Sequence, residues 1–137
     1  MTTPQVDALF QKYVRAFVEQ DIESICSMWK YPAYMVYDDK RLVFDRQSFK
    51  DNAVRLCRFY ADQGMARADK DVVDVVRLTA TTAAARTIDR MYRADGTVLA
   101  EWMHAYLLSE VAGAISIVAA MPDDETRAWR DLSASQR

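Results

Sequence analysis

Residues 86–109 read RTIDRMYRADGTVLAEWMHAYLLS. Two runs rich in β-branched and aromatic residues flank Asp95-Gly96. That pair is a strong hairpin signal, because a tight turn that follows the strand twist needs residues tolerant of positive φ. A two-residue turn there sets Arg90 opposite Glu101, a favourable pairing of unlike charges. The same register sets Thr87 opposite His104 and Asp89 opposite Trp102. Alternation along the strands then divides the hairpin into two faces. One carries Ile88, Leu99, Met103, Ala105 and Leu107 among Arg86, Arg90 and Glu101. The other carries Thr87, Asp89, Val98, Trp102, His104 and Tyr106 among small alanines. A four-residue loop leaves this division unchanged, whereas a bulge breaks it.

The N-terminal half has helical texture. Thr3-Pro4 reads as a helix start, a capping hydroxyl followed by proline in the first turn. Val6, Leu9, Phe10, Tyr13, Val14 and Phe17 then form one apolar stripe. Asp21 caps a short second helix carrying Ile22, Ile25, Met28 and Trp29, which Pro32 ends. Residues 33–44, AYMVYDDKRLVF, read as two short strands around Asp38, Asp39 and Lys40. Asp45 caps a third helix with its stripe at Phe49, Ala53, Leu56, Cys57 and Tyr60. Gly64 is a natural terminator. Four strands follow, broken near Thr79–Thr81, at Asp95-Gly96 and at Glu110–Gly113. Pro122 closes the last of them, and DDETRAWRDL suits a short terminal helix before a tail. Helices first and strands after predict an α+β domain with helices packed on one side of a curved antiparallel sheet.

The chain's 137 residues suit a single domain over 1–137, with its core about 6–121 and residues 122–137 as a C-terminal helix or tail. It is 51% hydrophobic and 28% charged, enough for a real core under a solvated surface. A formal net charge of -2 argues against general affinity for nucleic acid. Arg55, Arg58 and Arg67 read as a solvated face. No stretch approaches the roughly 18 apolar residues of a membrane span. The opening MTTPQVDALFQKY lacks a basic segment followed by an apolar run. A cytoplasmic location is therefore expected, with Cys26 and Cys57 as reduced, buried thiols. One histidine and two scattered cysteines give no zinc spacing, so no metal is expected.

His104 is the only histidine. Its face mixes small residues, aromatics and a few polar groups, the composition of a small-molecule pocket. Trp102, Tyr106 and Asp89 are candidate ligand-binding residues on that face. The bland alternative stays open: a buried imidazole needs only a hydrogen-bond partner, and Thr87 or Asp89 could supply it.

The order of elements resembles the nuclear transport factor 2-like superfamily, which includes ketosteroid isomerases, SnoaL-type polyketide cyclases and limonene epoxide hydrolases. ALFQKYVRAFVEQDIESICSMW, residues 8–29, resembles the long opening helix of that superfamily and the motif D-[IL]-x-x-I-x-x-[ML]-[WYF] after it. The resemblance spans roughly Val6 to Met121 and implies a cone-shaped curved sheet, packed by three N-terminal helices, around a pocket. In ketosteroid isomerases a helix tyrosine, an aspartate base after the first strand and a protonated acid on a later strand do the chemistry. Tyr13 falls at the tyrosine position. Asp38 falls near the base if one residue is inserted after Trp29. His104 falls at or next to the later acid after a one-residue adjustment before Gly113. Asp38 also fits an exposed turn, and Tyr13 also fits the core stripe.

The resemblance implies a cofactor-independent acid–base enzyme: an isomerase, cyclase or dehydratase acting on a small apolar carbonyl compound. A carboxylate, Asp38 or in reserve Asp89, would take a proton while Tyr13 and His104 hold the enolate oxygen. Alternatively His104 is the base, oriented by Asp89. A rival expectation is a noncatalytic ligand-binding or assembly module. A third is an accessory subunit resembling the β subunit of ring-hydroxylating dioxygenases. The apolar outer face predicts a homodimer through the sheets.

Overall fold

A computed structural model describes residues 1–123, 125 and 127–129. Three helices precede most of a six-stranded sheet: α1 (Thr3–Val18), α2 (Ile22–Ser27), β1 (Trp29–Tyr37), β2 (Lys40–Phe44), α3 (Arg46–Asp62), β3 (Arg67–Arg77), β4 (Thr82–Tyr92), β5 (Val98–Val111) and β6 (Ala114–Asp123). The strand order is β2-β1-β6-β5-β4-β3. This is the expected α+β architecture with a curved sheet. One pairing departs from antiparallel: β1 runs parallel to β6. Register shifts in the β1–β6, β3–β4, β4–β5 and β5–β6 ladders bend the strands and give the sheet its curvature.

Each helix start has a side-chain cap. Thr2, one residue before the expected Thr3, caps α1 through a reciprocal box with Gln5. Asp21 caps α2 by accepting from the Ser24 amide at 3.2 Å, and Asp45 caps α3 by accepting from the Ser48 amide at 2.8 Å. Val6, Phe10, Tyr13 and Ala16 form the buried face of α1. Phe49, Ala53, Cys57 and Tyr60 do the same for α3.

The second helix is shorter than its sequence suggests. Trp29 belongs to β1, not to α2. The cause is tertiary: Trp29 pairs with Ile117, and the Ile117 amide donates to the Met28 carbonyl at 2.9 Å. Pro32 therefore lies inside β1 instead of ending a helix. It is tolerated there because the β1–β6 ladder is interrupted between Trp29 and Tyr34, while pairing with β2 begins at Ala33.

The β4–β5 hairpin has the expected register: Arg90 faces Glu101, Asp89 faces Trp102 and Thr87 faces His104. Its loop is not the expected two-residue turn. The Gly96 amide donates to the Arg93 carbonyl, and the Arg93 amide to that of Thr97, which closes a loop over Ala94, Asp95 and Gly96. The extra residue is absorbed by a bulge, because Met91 pairs with Ala100 but Tyr92 pairs with Val98. Two assignments change as a result. Leu99, expected on the outer face, is 3% exposed, and Val98, expected inside, is 50% exposed. Gly96 sits at φ 87° with open space where a Cβ would go. Gly96→Ala is expected to cost about 1 kcal/mol from backbone strain alone, read as a lower urea midpoint with unchanged slope.

Among the described residues, no helix is long and apolar enough to cross a membrane. Glu125, Arg127, Ala128 and Trp129 are helical, in the segment expected to form a terminal helix. The remainder of that expected helix and tail lies outside the described residues.

Candidate functional site

The concave face of the sheet, α1 and α3 enclose a cavity of about 480 Å³ that opens to solvent. That volume suits a small organic ligand. Alternation along β4 and β5 turns Asp89, Trp102, His104 and Tyr106 into it, while α1 contributes Tyr13 and β3 contributes Lys70.

Asp89 is the hub. On one side its strand partner is Lys70, whose Nζ donates to Asp89 Oδ2 at 2.7 Å. On the other side His104 Nδ1 lies 2.6 Å from the same oxygen. Thr87, two residues earlier on the same face, donates through Oγ1 to Oδ1 at 2.9 Å. Burial opposes charge on Asp89, but the Lys70 ammonium and His104 outweigh it and hold its carboxyl well below the usual carboxylate range. Burial likewise pulls the Lys70 amine down, against the attraction of Asp89.

An ionised Asp89 fixes the histidine tautomer. A carboxylate only accepts, so Nδ1 must carry the proton to make the 2.6 Å contact. Trp102 Nε1 also lies 2.9 Å from Nδ1, but an indole N–H cannot donate to a nitrogen that is itself donating. Of the two contacts, the shorter one, to a charge, determines the state. In the neutral imidazole the lone pair is then on Nε2, which has no protein partner among the described residues. The His104 side chain is 13% exposed. The ring stacks against Tyr106 with centroids 5.1 Å apart.

The structure brings Tyr13, Asp89, Trp102, His104 and Tyr106 to one cavity. Tyr13 is buried, and its hydroxyl accepts from Trp29 Nε1 at 3.1 Å; burial raises its phenol above the ordinary range. Asp38 stands apart from the hub. It occupies the two-residue turn between β1 and β2 at φ 52°, exposed, and touches the cavity only at its rim.

Lys70 escaped the sequence analysis. Asp69 and Asp71 flank it, so the run reads as a solvated charged stretch. The available signal was alternation: Ala68, Lys70 and Val72 share one face of β3. Tyr60 and Glu125 were also missed. The Tyr60 hydroxyl donates to Glu125 Oε1 at 2.7 Å. Trp129 stacks on Tyr60 at 5.8 Å, covering one end of the cavity. No local pattern couples residues so far apart in sequence.

The sequence matches the family described as NTF2-like protein (DUF6841) over residues 4–125. The chain belongs to that family. No match was found among the curated proteins. An NTF2-like protein of unknown function from Shewanella oneidensis superposes with a TM-score of 0.69 at 10% identity, covering 89% of this chain and 98% of that one. A cystatin-like-fold protein from Nostoc punctiforme gives 0.70 at 12% identity, covering 99% and 86%. A ketosteroid isomerase-like protein from Erwinia carotovora atroseptica gives 0.59 at 18% identity, covering 84% and 89%. At these identities the likeness establishes the fold, NTF2-like and cystatin-like, and leaves the chemistry to the site.

Proposed function

We propose that this NTF2-like protein is a single-domain, cofactor-independent acid–base enzyme. It moves a proton next to the carbonyl of a small apolar compound, as in an isomerisation, cyclisation or dehydration. The observation that carries this reading is the 2.6 Å contact between His104 Nδ1 and Asp89 Oδ2 on the wall of a cavity of about 480 Å³. Asp89 orients the imidazole and fixes its tautomer. Nε2 is the general base. Tyr13, with its hydroxyl on the same cavity, donates to the oxygen where charge develops. Asp38, at the rim, gives way to His104 as base. The arrangement is a nucleophile-free relative of the oriented-histidine device, since among the described residues no serine or cysteine lines the cavity.

The outer face of the sheet is the proposed homodimer contact. Ile88, Met103, Ala105 and Leu107 are half-buried in the single chain, with Val73, Val76 and Met121 exposed. A second copy would remove this apolar surface from water.

The test uses His104 as the sole imidazole. Its ring nitrogens are recorded by ¹⁵N NMR with and without 1-indanone and 2-tetralone. The expected result is an Nδ1–H tautomer whose Nε2 signal moves on ketone addition. An Nε2–H tautomer that ignores both ketones would leave a noncatalytic module or an accessory subunit as the better description.

A further inference from the structure

Several donors on the cavity wall lack an acceptor among the described residues, the Trp129 indole N–H among them, and the Tyr106 hydroxyl is the one that stacks beside His104 and is bonded by a cation. The Lys70 ammonium carries three donors and no acceptor. One reaches Asp89 Oδ2 at 2.7 Å and another the phenol oxygen of Tyr106 at 2.6 Å. Because an ammonium only donates, Tyr106 is the acceptor in that contact. Its own hydrogen therefore points elsewhere, and no described residue takes it. Two other phenols near the core have acceptors. Tyr60 gives its hydrogen to Glu125 at 2.7 Å, and Tyr31 gives its own to the Cys26 carbonyl at 2.8 Å. Tyr13 accepts as Tyr106 does, but from a neutral indole.

Tyr106 is 2% exposed, lies on the cavity wall and stacks on His104. A buried hydroxyl hydrogen without an acceptor is unfavourable, so a ligand oxygen arriving there relieves it. A phenol that accepts from a cation is also a stronger donor through its own O–H, since each bond polarises the next. The charge of Lys70 is already balanced by Asp89. The site therefore offers a strong neutral donor, not a free cation. That selects a carbonyl over a carboxylate.

Resting on the acid–base reading above, we infer that the Tyr106 hydroxyl anchors the ligand's carbonyl oxygen beside His104, and that Lys70 is a positioning residue acting through it. The ligand class is an apolar molecule carrying a neutral carbonyl. Asp89 then serves both sides of the site: it orients His104 and holds Lys70 against Tyr106.

Two probes of one shape separate the oxygen from the rest of the ligand: 2-acetylnaphthalene and 2-ethylnaphthalene. The acetyl-to-ethyl affinity ratio of the wild type is expected to fall about tenfold in Tyr106→Phe, the loss of one hydrogen bond of about 1.4 kcal/mol. Binding of the ethyl probe should be unchanged. The carbonyl stretch of the bound acetyl probe, read by infrared difference spectroscopy, should lie below its value in hexane and return toward that value in Tyr106→Phe. Lys70→Met paired with Asp89→Asn avoids an orphaned charge. It should keep binding while reducing the frequency shift, a change that lost packing alone would not produce. An unchanged ratio and frequency in Tyr106→Phe overturn the inference. If His104 still responds to 1-indanone in that case, the acid–base reading survives without it. If neither probe binds and His104 is silent, both fail.

Discussion

Asp89→Ala is expected to destabilise the fold by about 3–5 kcal/mol, because it leaves the Lys70 ammonium buried without its counter-charge. The two side chains are only 7% and 8% exposed, so water cannot take over the role of the carboxylate. The same substitution removes the acceptor for Thr87 and for His104. Lys70→Met with Asp89→Leu should recover most of the loss, since a well-packed apolar pair avoids the desolvation of two charges. Equilibrium urea unfolding of the two variants checks this, and a loss below about 1 kcal/mol in Asp89→Ala would contradict the ion-pair description. The pH dependence has a definite sign. Asp89 ionises more readily folded than unfolded. Its contribution is complete above the ordinary carboxyl value of about 3.9 and is lost as pH falls from there toward the lower folded value. The urea midpoint of Asp89→Asn should therefore vary less steeply than that of the wild type below about pH 4.

His104→Gln carries the second large effect, on chemistry and not on folding. Glutamine keeps a polar side chain of comparable reach but is no base near neutrality. If Nε2 abstracts the proton, exchange of the α-hydrogens of 1-indanone for deuterium should slow by about 10²–10⁴-fold, the usual contribution of a positioned general base. Ketone affinity should change by only a few-fold, because Tyr106 and the aromatic walls remain. Deuterium incorporation followed by NMR reads the rate, and a fluorescence titration reads the affinity. Exchange that proceeds at the wild-type rate would move the base to another group, with Asp38 at the rim as the next to replace.

Much of the fold was legible because local signals agreed with the tertiary outcome. Asp21 and Asp45 cap helices as their positions suggest, and the charges of Arg90 and Glu101 set the hairpin register. The failures have a common physical origin. Trp29 leaves its helix because a strand far along the chain pairs with it. Leu99 and Val98 exchange faces because a bulge absorbs the extra loop residue. At the site, alternation was enough to group Asp89, Trp102, His104 and Tyr106 on one face. It could not reveal that Lys70, between two aspartates, completes the group from a neighbouring strand.

The parallel pairing of β1 with β6 also bears on how the molecule is made. β1 spans Trp29–Tyr37 and β6 spans Ala114–Asp123. A nascent chain that has exposed both helices and the first hairpin still lacks the strand on which β1 rests. Such a fragment shows the unpaired edge of β1 until β6 has been made. Contacts so distant in sequence slow the search for the native arrangement. The cavity, bounded by elements from both halves, comes into existence only with that last strand. Ligand binding thus reports the docking of β6, not an early stage of folding.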